Sequence, residues 1–130
     1  MIFVDTNVFM YAVGRSHPLQ TEARAFFLQA VESSDIRLCT SAEVLQEFLH
    51  AYLPVQRLAT LDAALHLARS VVREIWPIEK DDIHAARALI EHYAGLGARD
   101  LLYLACCRRR GITQIKSFDR GLRAAFSSSA

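Results

Sequence analysis

The sequence predicts an α/β fold, a three-layer α/β/α open sandwich on a mostly parallel sheet of four to five strands. Three observations carry this. Short apolar runs alternate with longer amphipathic segments along the whole chain. The short runs are apolar on both faces, as strands covered by helices on two sides require. The length, 130 residues, is that of one domain.

The elements follow in order. Ile2, Phe3 and Val4 form a short apolar run that stops at Asp5-Thr6-Asn7, a strand ending in a polar turn. A helix follows through Val8 to Ala12 and is broken at His17-Pro18. Leu19, Ala23, Phe26, Phe27, Ala30 and Val31 recur at helical spacing and predict a helix over 19–32. A turn at 33–35 leads to a second strand over 36–40. Ser41 is the expected N-cap of a helix whose apolar face is Val44, Leu45, Phe48, Leu49 and Tyr52, ended by Pro54. Leu61, Ala64, Leu65, Ala68, Val71 and Val72 mark the next helix.

The span 74–78 reads as a short edge strand weakened by Pro77. Asp81 is expected to cap a helix burying Ile83, Ala86, Leu89, Ile90 and Tyr93. After the Gly95-Leu96-Gly97 loop a helix runs over 98–110, closed by Gly111. The last strand is 112–116, and 121–126 reads as a short helix. Residues 1–126 are expected to form the single domain, with 127–130 a disordered tail. There is no internal repeat.

Composition excludes several classes. The chain is 52% hydrophobic, too apolar for a disordered segment. No apolar run reaches the ~18 residues of a membrane span. The start has no basic region and meets an acid at position 5, unlike a signal peptide. The three cysteines are an odd number, and Cys106 and Cys107 are adjacent. No disulfide framework suits that, so a reducing, cytoplasmic setting is expected. The net charge of +1 combines 14 acids with 15 bases. Thirteen of those bases are arginine, a planar and bidentate cation.

In open α/β sheets ligands bind beyond the carboxyl ends of the strands. Four acids fall at such places: Asp5 after the first strand, Glu47 in the helix after the second, Asp100 in the first turn of a late helix, and Asp119 after the last strand. Gathered carboxylates repel one another and raise their own pKa values. A hard divalent cation, Mg²⁺ or Mn²⁺, relieves that repulsion and activates water for phosphodiester cleavage. The five histidines are scattered, without zinc spacing, and no P-loop is present.

The strings Asp5-Thr6-Asn7, Ser41 to Glu47, Ala98-Arg99-Asp100-Leu101 and Ser117-Phe118-Asp119 together resemble a PIN domain. More narrowly, the chain resembles the VapC-type toxins of prokaryotic toxin–antitoxin pairs. The resemblance spans residue 2 to about 126. It implies that Asp5, Glu47, Asp100 and Asp119 are catalytic metal ligands, with Glu43 the alternative to Glu47. It makes Asn7 and Ser117 supporting residues. It also implies an RNA substrate and a small VapB-like antitoxin, and a homodimer fits the apolar surplus. Arg15 and Arg99 are candidate substrate contacts because they lie near the acids in sequence. Relatives often carry a fifth strand after the last acid, which 121–126 leaves short or missing.

Each residue also has a structural reading. Asp5 and Asn7 favour helix caps, and Asp100 gains from a helix N-terminus. Glu47 can be an exposed flank and Asp119 a turn residue. Arg108, Arg109 and Arg110 suit a helix C-terminus. Phe26, Phe27, Phe48 and Tyr52 read as core or subunit interface. The predicted function is a metal-dependent endoribonuclease, the toxin of a toxin–antitoxin pair. The alternatives are a structure-specific DNA nuclease of the same chemistry and a non-catalytic binding module. A phosphoacceptor domain fails because no second acid adjoins Asp5, and a phosphotransferase because position 7 is Asn rather than Asp.

Overall fold

A computed structural model describes residues 1–128. Four strands form one sheet: β1 (Ile2–Val4), β2 (Leu38–Ser41), β3 (Glu74–Trp76) and β4 (Gln114–Lys116). All pairings are parallel, in the order β3-β2-β1-β4. Phe3 pairs with Cys39 on one side and Ile115 on the other. The strands have only three or four residues, because each must span little more than the core before its chain turns into a helix.

The helices are α1 (Thr6–Val13), α2 (Gln20–Glu32), α3 (Ala42–Tyr52), α4 (Leu58–Val71), α5 (Lys80–Leu89), α6 (Ala98–Arg109) and α7 (Arg120–Ser127), with a 3₁₀ turn at Ile90–His92. α1 to α4 pack among themselves, whereas α5 packs on α6 and α6 on α7. Right-handed crossovers put the first group on one face of the sheet and α5 and α6 on the other. Phe9 packs on Phe27 and Phe48 in the first layer; Phe3 packs on Tyr103 of α6 and on Trp76. The predicted architecture is therefore the observed one, with four strands among the described residues. Where a fifth was in question, α7 is helical.

The order 3-2-1-4 reverses between β1 and β4. That reversal is the topological switch point, and a crevice opens outside the carboxyl ends of those two strands.

The structure corrects several local expectations. β2 ends at Ser41 rather than 40, and Ser41 caps α3 by position only, since its hydroxyl makes no cap bond. α5 is capped by Glu79, with Asp82 completing a capping box, and not by Asp81. Its expected buried face is only partly covered: Ile83 is 52% and Ile90 44% exposed, Ala86, Leu89 and Tyr93 are half-buried, and Asp82 is the buried residue of the helix. α5 packs extensively on α6, while Ile83, Ala86 and Ile90 line a groove. Ser127 belongs to α7; of the expected tail, 129–130 lie outside the described residues.

The arginine run does more than offset a helix dipole. Arg109 and Arg110 donate to Asp82 Oδ1 at 2.6 and 2.9 Å. Arg110 also reaches Glu79 at 3.0 Å and stacks over Trp76. Arg108 donates to the Tyr93 hydroxyl. Gly111, at φ 73°, takes the left-handed turn that ends α6. Among the described residues no helix is long and apolar enough to cross a membrane.

Candidate active site

Three helix N-termini meet at the switch point, each carrying one of the predicted acids. Asp5 is the N-cap of α1, Asp119 the N-cap of α7, and Asp100 lies in the first turn of α6. The local reason is the same in each case. A short polar side chain accepts from orphan backbone N–H groups, and the positive end of the helix favours its charge. The capping and site readings of these acids are therefore compatible.

Asp5 is 5% exposed and tightly held. Its Oδ1 accepts from the Thr6 N–H at 2.7 Å and its Oδ2 from the Ser117 hydroxyl at 2.6 Å. Ser117 Oγ in turn accepts from the Asp119 N–H at 3.0 Å, and Asp119 Oδ1 accepts from the Leu122 N–H at 2.9 Å. Asn7 Oδ1 accepts from the Phe118 N–H at 3.3 Å, tying the start of α1 to the loop after β4. Asn7 and Ser117 thus fix the two acid-bearing segments against each other. Behind them, the Thr6 hydroxyl bonds the buried Tyr103 hydroxyl at 2.9 Å. Thr40 Oγ1 donates to the Val4 carbonyl at 2.9 Å.

The charges are under stress. Burial pushes the Asp5 carboxyl above its usual range; the Ser117 and Thr6 bonds pull back, and the charge of Asp119 pushes further up. Burial, then the charges of Asp5 and Asp119, push Asp100 up to about 6, with Arg99 opposing. Such displaced carboxylates in a cleft make the cluster a functional-site candidate. Glu47 reaches the same neighbourhood from α3 and pairs with Arg99 at 2.8 Å. Burial holds the Tyr103 phenol well above its usual range, and it senses Asp5, Arg99 and Glu47 together.

A groove of about 740 Å³ runs from this cluster between α3, α5 and α6. Glu43, Glu47, Arg99 and Asp100 line its acidic end; Ile83, Ala86, Ile90 and Leu102 line its apolar end. Glu43 therefore shares the groove with Glu47. Arg15 does not come to the cluster in the same way: it is exposed and follows the far end of α1, roughly 12 Å from Thr6 at 1.5 Å per residue.

Among the described residues no three His, Cys, Asp or Glu side chains already converge on one point as a metal cage. The acids lie close enough to feel one another's charge. Mg²⁺ or Mn²⁺ takes one or two direct carboxylates and keeps several waters. The all-oxygen, acidic donor set suits those ions and no softer one.

Sequence reasoning passed over Thr6 and Tyr103, and read the Ser41 side chain only as a helix cap. Thr6 sits inside a string read for its acid, and Tyr103 inside an apolar run. Ser41 Oγ is buried with no hydrogen-bond partner, a fact that only packing creates.

The PIN domain profile matches residues 2–126. The chain belongs to the PIN domain family. Among curated relatives of this PIN domain, "Ribonuclease VapC23" of Mycobacterium tuberculosis is 60% identical over 128 residues, covering 98% of this chain and 100% of that protein. "Ribonuclease VapC13" of the same species is 41% identical over 121 residues, 93% of this chain and 92% of the other. The chain is thus a VapC-type PIN domain. Two solved structures share the fold. The crystal structure of M. tuberculosis VapC20, described as a sarcin-ricin loop cleaving toxin, superposes with a TM-score of 0.72 at 24% identity, over 96% of this chain and 95% of that one. A toxin–antitoxin complex from Klebsiella pneumoniae gives 0.63 at 20% identity, over 92% and 87%.

Proposed function

We propose that this PIN domain is a metal-dependent endoribonuclease and the toxin of a toxin–antitoxin pair. The observation that carries the chemistry is the coupling of Asp5, Asp100 and Asp119 at the β1/β4 switch point, with Asp5 and Asp100 held above their ordinary pKa. Carboxylates placed in mutual repulsion there call for a cation. The full-length likeness to proteins named VapC ribonucleases supports RNA as the substrate and an antitoxin as the partner.

Asp5, Asp100, Asp119 and Glu47 would hold Mg²⁺ or Mn²⁺. Such an ion lowers the pKa of water and stabilises the leaving oxygen of a phosphodiester. The chain's own residues set the geometry. Ser117 and the Thr6 N–H fix both oxygens of Asp5, so its carboxylate cannot rotate. Asn7 holds the loop that positions Asp119. The N-termini of α1, α6 and α7 offset the gathered charge. The groove beside Asp100 receives the RNA strand, and its apolar end, with Ile83 and Ile90 exposed, is where a small VapB-like antitoxin docks. A homodimer in the cytoplasm completes the reading.

Purified protein should cleave single-stranded RNA with Mn²⁺ and not with EDTA. Expression should arrest growth unless the antitoxin is present. Full cleavage in EDTA would sink the metal mechanism, and preferential cutting of DNA in a parallel assay would redirect the substrate.

A further inference from the structure

One cation makes direct contact with the acid cluster, and it is badly placed to stay there. Among the described ion pairs, the one involving Asp5, Glu47, Asp100 or Asp119 is Arg99 to Glu47 at 2.8 Å. The Glu47 side chain is 12% exposed and fixed on α3; that of Arg99 is 48% exposed. Arg99 is the second residue of α6, next to Asp100. A cation there opposes the positive end of the helix, so only the neighbouring carboxylates hold it. Its charge counters both Asp5 and Asp100. Arg99 and Glu47 both line the groove.

We propose that Arg99 is a displaceable internal counter-ion. It neutralises Glu47 in the metal-free protein. It leaves that carboxylate to an incoming divalent cation and then binds an RNA phosphate in the groove. The inference rests on the nuclease reading and adds a coupling to it. A guanidinium suits both tasks, since it binds carboxylate and phosphate through the same fork of N–H donors. A half-exposed partner makes the ion pair weak enough to exchange. Metal and RNA then help each other, because whichever binds first frees the group the other needs. Such coupling is reciprocal by thermodynamic necessity.

The test uses the full chain at pH 8, where Asp100 is ionised, with two binding measurements. Calorimetry follows Mn²⁺ alone; anisotropy follows a labelled single-stranded RNA in EDTA. Arg99→Gln should bind Mn²⁺ roughly three- to tenfold more tightly than wild type, and Arg99→Lys should stay near wild type. Glu47→Gln should bind Mn²⁺ more weakly, yet bind RNA in EDTA about two- to fivefold more tightly, because it releases the guanidinium. Its salt dependence should steepen by about 0.7, the value of one added phosphate contact on a single strand. The double variant should lose both gains.

Arg99→Gln that binds Mn²⁺ no better than wild type overturns the proposal, as does Glu47→Gln with no gain in RNA affinity. If wild type binds Mn²⁺ and cleaves RNA while these variants show no exchange, the counter-ion alone falls. If wild type neither binds Mn²⁺ nor cleaves RNA, the nuclease reading falls and takes the counter-ion with it.

Discussion

Asp5 and Asp82 are both buried carboxylates, one at the carboxyl end of β1 and one at the start of α5, and their surroundings drive them in opposite directions. Asp82 is fully enclosed, and burial alone would raise its pKa. Hydrogen bonds from Arg110, from the Glu79 N–H and from Arg109 outweigh that and hold it well below the usual carboxylate range. Asp5 receives two neutral donors and faces other acids, so its pKa rises. The first arrangement completes its own charge balance and ties α5 to α6. The second leaves its balance open to something from outside. A buried acid with matched guanidinium partners is architecture; a buried acid among acids is a candidate site.

The sharpest way to break the contrast is to neutralise each acid in turn. Asp5→Asn should lower RNA cleavage by at least roughly 10²-fold, the scale of losing one preorganised charge in a reactive site. Its melting temperature should hold or rise, since repulsion is removed. Asp82→Asn should do the reverse. It leaves two arginines without their buried partner and should cost roughly 2–4 kcal/mol of stability, discounted because both guanidiniums are partly exposed. Urea melts and initial cleavage rates on the same preparations check both. An Asp5→Asn protein as unstable as Asp82→Asn would erase the distinction.

The pH dependence sharpens it. The folded pKa of Asp100 is raised from 3.8 to about 6, so the folded chain binds more protons than the unfolded one between those values. Metal-free stability should therefore fall as pH rises from about 4 to about 6 through this group. Asp82 has the opposite sign: its lowered pKa gives stability that is present above about 4 and lost as pH falls below it. The affinity of the metal-free chain for Mn²⁺ should rise toward pH 6 as Asp100 ionises, which calorimetry across that range checks. Removing Asp100 by Asp100→Asn should shrink the upper stability slope to the part that Asp5 contributes and leave the acid one intact.

Two smaller effects lie behind the site. Tyr103→Phe leaves the buried Thr6 hydroxyl without its partner and should cost about 1 kcal/mol, with only a modest loss of cleavage. Ser41→Ala removes a buried hydroxyl that already lacks a partner, and should be neutral or slightly stabilising. Thermal melts in one buffer resolve the two.

Much of this contrast was legible in the chain, and the unread part has a common cause. Asp5 could be found because it directly follows the first strand, and Asp119 because only Ser117 and Phe118 separate it from the last; strand ends are where such folds bind. Asp100 and Glu47 stood out through the helices that start near those ends. Periodicity placed α2, α3, α4 and α5 because the apolar stripe is a local signal. It misjudged α5, whose apolar residues repeat correctly yet face a groove: spacing tells which side is apolar and not what lies opposite. The Asp82 cluster joins residues 27 and 28 apart in sequence across two helices. No local pattern links Asp82 to Arg109 and Arg110, so the arginines read only as helix-end charge. The Thr6–Tyr103 bond, 97 residues apart, was hidden for the same reason.

The three cysteines have a practical corollary. Cys39, Cys106 and Cys107 are all buried and unpaired. Burial pushes the Cys39 and Cys106 thiols up to about 12 and that of Cys107 higher still. Almost no thiolate exists at neutral pH, and the thiolate is the species that alkylates. The native fold is therefore silent to maleimides. One cysteine engineered at Ile83 on α5, or at Ile90 in the 3₁₀ turn after it, becomes the sole handle for a fluorophore beside the groove, and native thiols begin to react only as the chain unfolds.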